Sequence, residues 1–169
     1  MAMACCCLLT ACNTTTPEMY FDAALLNTNS ITGFAGDGLL RQLESPSLKL
    51  KESTTNETVA MKRKEIIDFK IRFANENRDE LEQLKETEET KEMLVAAKAL
   101  NDYISPVYKT EYMQLAKMYD DGASKEEIHL LAMHIHAKYF PGFEKLFDKL
   151  TIIGKQYAKQ HNIKVTWLD

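Results

Sequence analysis

The sequence predicts an all-α fold, an antiparallel bundle of three to four main helices with a short N-terminal helix before them. Three observations predict it. Apolar residues recur at steps of three and four over most of the chain. Pro, Gly and Ser interrupt that pattern where helices should start or stop. Beyond residue 12 there is no cysteine, so helix packing has to hold the domain without disulfides. The chain has 169 residues, 45% hydrophobic and 27% charged, which suits one globular domain and excludes a disordered chain or a polytopic membrane protein. Its 21 basic and 25 acidic residues give a net charge of −4, without the basic surplus that nucleic acid as a partner requires.

Residues 1–12 read MAMACCCLLTAC, with no charged residue and all four cysteines of the chain (Cys5, Cys6, Cys7, Cys12). As a helix they would span about 18 Å against about 30 Å of hydrocarbon, so they do not form a transmembrane helix. Their length fits the apolar part of a signal peptide. Leu9-Thr10-Ala11-Cys12 resembles the lipobox of bacterial lipoproteins. The resemblance implies a diacylglyceryl thioether on Cys12, cleavage between Ala11 and Cys12, acylation of the new amino terminus, and residence in the cell envelope. Asn13 in place of aspartate implies the outer membrane rather than the inner. Met1 to Leu9 lacks the Lys or Arg with which a signal peptide opens, so a longer signal peptide is expected upstream. The expected organisation is a signal-peptide remnant over 1–11, a lipidated tether over 12–17 and one helical domain over 18–169. Cleavage would remove three thiols and the lipid would cap the fourth, as an oxidising compartment favours. A metal or redox cluster fits less well, because three adjacent cysteines diverge where such sites use pairs two to four residues apart.

Asn13 to Pro17 is polar and ends in proline, as a tether should. Met19, Tyr20, Phe21, Ala23, Ala24, Leu25 and Leu26 suit a first helix from Glu18 to about Asn27. Gly33, Gly36 and Gly38 follow without a phosphate-binding fingerprint or a preceding strand, so they read as a connection. From about Glu57 to Tyr103 a helical stripe (Val59, Ile66, Phe73, Leu81, Leu84, with Ala60, Ile67 and Ala74 beside it) predicts a core-facing side, and the acidic run Glu76 to Glu92 reads as its solvated face. Ser105-Pro106 predicts the N-cap and first residue of a helix ending near Asp121 at Gly122. Ser124 and Glu127 form a capping box. They open a helix of about 36 residues, about 54 Å long, whose face is Ile128, Leu131, Ile135, Tyr139, Phe143, Leu146, Leu150, Ile153 and Tyr157. Pro141-Gly142 predicts a kink or split in it. The tail Ile163 to Trp167 alternates like a strand and is expected to make a minor β pairing with Leu48 to Lys51.

Three histidines fall on the last helix. His134 and His136 point about 200° apart, whereas His129 and His136 share a face about 10.5 Å apart with Met133 between them. His129, Met133 and His136 are therefore a candidate soft-metal stripe, set against the ordinary role of such residues at a helix flank. Glu126-x-x-His129 has the spacing of di-iron bundles but occurs once, leaving half the ligands missing. Tyr139, Phe140, Phe143 and Phe147 read as core rather than as a ligand pocket. No nucleophile motif is present, and a c-type haem sequence is absent, so neither catalysis nor a cofactor is expected. The function expected is a non-enzymatic interaction or binding module in the envelope with an envelope protein as partner. The alternative is a bundle holding a small apolar molecule or a metal ion.

Overall fold

A computed structural model of the chain describes residues 15–51 and 56–167. Ala11 and Cys12, the expected cleavage and lipidation residues, lie outside them. Thr16 caps α1 (Pro17–Ala24): its hydroxyl accepts from the Met19 N–H at 3.4 Å, and Pro17 fills the first helical position, where an N–H has no partner to lose. A 3-10 turn (Leu26–Ile31) and the glycine-bearing connection lead into α2 (Asp37–Glu44). That connection needs its glycine, because a Cβ on Gly33 would stand 2.9 Å from the Leu39 nitrogen. A hairpin of β1 (Leu48–Leu50) and β2 (Thr58–Ala60) precedes α3 (Arg63–Gln83). The chain then runs through α4 (Lys91–Val107), a π turn (Tyr108–Tyr112), α5 (Met113–Asp121) and α6 (Lys125–Gln160).

The all-α bundle is as expected. With their π turn, α4 and α5 form one rod, and α3 and α6 each pack along both halves of it. Short connections make these three long units successively antiparallel. The first layer of the chain lies across them, with α1 against α3, α4 and α6, and α2 against α5. α6 starts with the capping box on Ser124 and Glu127. It buries Ile128, Ile135, Phe143, Leu150 and Tyr157, one residue every two turns apart from a single step of eight, with Leu131, Tyr139, Leu146 and Ile153 partly buried beside them.

A buried amide pair fixes the docking of α1. Asn101 donates to the Asn77 side-chain oxygen at 2.9 Å, and Asn77 donates to the Ala23 carbonyl at 2.9 Å. That carbonyl belongs to the last turn of α1, where no helical N–H reaches it, so Asn77 serves as its cap from another helix.

Four local expectations give way. Helix α4 runs through Ser105-Pro106 instead of starting there. Ile104, Val107 and Tyr108 are buried and carry the helix past a proline costing about 3 kcal/mol in an ordinary helix interior. The π turn follows at once, and the Thr110 hydroxyl donates to the Pro106 carbonyl at 2.9 Å. The stripe from Glu57 to Tyr103 is not one helix. Val59 and Ala60 belong to β2, and residues 84–90 separate α3 from α4. There the Thr87 and Thr90 hydroxyls each accept the other's backbone N–H, at 3.2 and 3.0 Å, which closes a turn. α6 is not split at Pro141. Tyr103 packs on Gly142, where a Cβ would collide with its hydroxyl, and donates to the Tyr139 carbonyl at 3.0 Å.

The tail forms no strand either, since β1 pairs with β2 in register Leu48 to Ala60. Asn162 takes the left-handed conformation (φ 56°), so that Ile163 N–H closes onto the Ala158 carbonyl at 2.8 Å and ends α6. The chain then folds back on α1, where Trp167 meets Phe21 edge to face at 6.0 Å under the Lys155 ammonium.

Gly154 sets how closely α1 approaches α6, since a Cβ there would stand 2.6 Å from Leu25 Cγ. Gly154→Ala is expected to cost about 1–3 kcal/mol by overpacking, measured by denaturant unfolding. Adding Leu25→Ala should make the two changes less than additive. Full additivity would mean the two sites do not meet.

Candidate functional site

A cleft of about 270 Å³ opens between the start of α2, the π turn with α5, and the first turns of α6. One wall is His129, Met133 and His136, so the structure brings the predicted stripe together on a single surface. Opposite it stand Ala35, Asp37 and Leu40, with Tyr112 and Leu115 at the base. His134 does not line the cleft. This follows from its being two residues from His136 on a helix.

Ala35 organises the floor. It is buried in the left-handed conformation (φ 53°), which costs a residue with a Cβ roughly 1–2 kcal/mol. Two hydrogen bonds hold it there. Its N–H donates to the Tyr112 hydroxyl oxygen at 2.8 Å, and its carbonyl lies 2.7 Å from His136 Nδ1. Burial pushes the Tyr112 hydroxyl well above the usual tyrosine value, against the smaller opposing effect of the Ala35 bond, so the phenol stays protonated.

A carbonyl only accepts, so Nδ1 of His136 must carry the proton in that bond. In the neutral ring the lone pair is then on Nε2. A backbone carbonyl that fixes the tautomer in this way is how metal-binding histidines are commonly oriented. His136 also stacks on Phe140, with ring centres 4.9 Å apart. The set nevertheless remains small. Among the described residues no three His, Cys, Asp or Glu side chains are grouped to hold a metal ion. His129 and His136 are separated by two helical turns, about 10.5 Å, so each pairs with Met133 rather than with the other.

The stripe is local in sequence and was readable from helical spacing. Ala35 and Tyr112 were not, because their roles depend on contacts across 77 and 101 residues of chain. The only local hint was Asp37 after Gly36, an acidic residue in a first helical turn. Of the aromatic run, Phe143 is core as expected, while Tyr139, Phe140 and Phe147 are partly buried against it.

No family model, curated protein or solved structure matches the chain. Among the described residues no helix is long and apolar enough to cross a membrane.

Tyr112→Phe would strand the buried Ala35 N–H without its acceptor. Unfolding free energy should fall by about 1–3 kcal/mol. An unchanged midpoint of chemical unfolding would show that the amide finds another partner.

Proposed function

We propose that this chain is a lipid-anchored protein of the bacterial cell envelope that acts by binding a partner protein, without catalysis. The carrying observation is the cleft itself, where α6 leaves Met133 52% exposed in a wall that also holds Ala132, with Leu40 and Leu115 across from it. Apolar side chains grouped at the rim of a concave surface are what a partner buries. The lipobox sequence Leu9-Thr10-Ala11-Cys12 supports the anchor, and Asn13 favours the outer membrane. Two or three acyl chains would hold the protein stably, where one would not.

A second reading, a small apolar ligand or a soft metal ion in the cleft, is favoured by one feature. His136 has its tautomer set by a backbone carbonyl and shares the wall with Met133 and His129. Copper(I) is the cation that suits a thioether beside an imidazole.

Cys12→Ser should abolish incorporation of labelled palmitate and release the protein from the membrane fraction. A membrane-bound, lipid-labelled product of processed size would overturn the anchor. For the binding face, a photo-crosslinking residue at Met133 should give one discrete adduct with an envelope protein, absent when the probe is at exposed Lys149. Identical patterns from both positions would count against this face. Copper(I) should raise the melting temperature saturably, and Met133→Leu should remove the rise, only if the second reading is correct.

A further inference from the structure

On α3 the buried seam steps by three and four through Ile67, Ala74, Asn77 and Leu81, and the remaining position of that seam is Lys70. Lys70 is half-buried there, and an ammonium partly withdrawn from water gains from a countercharge. Other cations drawn into this structure have it. Lys98 lies 3.2 Å from Glu86 and 3.8 Å from Glu82, Arg78 lies 2.8 Å from Asp102, and Arg63 lies 3.9 Å from Asp120. Lys70 has none of this. Its Nζ donates to the Ser30 carbonyl at 2.6 Å, and among the described residues no carboxylate comes within ion-pair distance. Burial pushes its ammonium below the ordinary lysine value, with no neighbouring charge acting on it.

The amine faces a second pocket, on the other side of α2 from the cleft. It encloses about 270 Å³ and is lined by Asn29, Ser30, Thr32, Gln42, Lys70 and Tyr108, together with backbone at Gly33 and Gly38. Tyr108 supplies an independent sign of a ligand. It is 1% exposed, and its hydroxyl makes no hydrogen bond within the described protein. No side-chain polar atom among the described residues is both sealed from solvent and unpartnered, so this hydroxyl keeps its remaining access through the pocket it lines. Burial also pushes the phenol far above the usual tyrosine value, which keeps it a proton donor. The Gln42 carboxamide likewise makes no hydrogen bond within the described protein.

We propose that this pocket binds a small oxyanion, a carboxylate or a phosphate group, held by Lys70 Nζ and Tyr108 Oη. One N–H of the ammonium serves the Ser30 carbonyl and two are left for the anion. The anion supplies the countercharge that the described residues do not. It also gives the Tyr108 hydroxyl an acceptor that the described protein does not supply. The pocket lies at the small end of the range for ligand sites, so it takes a small molecule or one charged group of a larger one.

The test is thermal unfolding of the full chain titrated with sodium phosphate and, separately, sodium acetate, at ionic strength held constant with chloride. One of the two anions should raise the melting temperature saturably, and which one does so distinguishes the two chemistries. Lys70→Met keeps the length and apolar stem of the side chain and should abolish the rise. Tyr108→Phe keeps the buried ring and should weaken apparent affinity about tenfold, the worth of one hydrogen bond to a charged group. The proposal is overturned if neither anion exceeds the chloride control, or if Lys70→Met responds as the unaltered protein does, the mark of an adventitious surface effect.

Discussion

The ring of Phe34 is the contact on which the arrangement of layers depends. It is buried at the turn between the 3-10 segment and α2, and four rings surround it: Phe143 at 5.1 Å, Tyr108 at 5.3 Å, Tyr112 at 5.8 Å and Tyr103 at 6.4 Å. Tyr103 comes from α4, Tyr108 and Tyr112 from the π turn, and Phe143 from α6. One side chain of the first layer therefore meets two of the three long units beneath it. Aromatic pairs contribute about 0.5–1.5 kcal/mol each beyond their buried area, in sum the same order as the costs of Pro106 in the rod and left-handed Ala35. The cleft floor and the Lys70 pocket lie on either side of this plug, lined by the next two residues and by the glycines around it.

What the sequence revealed and what it hid divide along contact range. The periodic face of α6, its capping box and the stop at Gly122 (φ 76°) are local, and each stands in the structure where spacing placed it. Pro106 misled because a proline after serine is a good helix start when neighbours are ignored. Its neighbours here are buried on both sides, and tertiary packing outweighs local preference. Thr87 and Thr90 were readable in principle as a hydroxyl pair three residues apart, but the acidic run around them resembled an exposed helical face. The tail illustrates a different limit. Its alternation is real, yet Asn162 redirects the chain toward α1, and no pattern within five residues encodes that destination.

The candidate sites follow the same rule. His129, Met133 and His136 share a wall because helical geometry requires it. Their setting, a carbonyl held in an unfavourable conformation by a tyrosine from the π turn, arises only when three distant segments meet. Lys70 hides more thoroughly, since a lysine among Ile66, Ile67, Asp68 and Ile71 reads as an ordinary polar interruption. Only the docked first layer turns it into a charge beneath a roof.

The ring contact between Phe21 and Trp167 has a geometric consequence for the whole molecule. It places the beginning and end of the described chain together at one pole, where α1 starts beside the last turn of α6. Met133 lies 24 residues before Tyr157 along that same helix, about 36 Å away. The cleft therefore lies towards the opposite pole, and a partner seated on Met133 would meet neither end of the described chain.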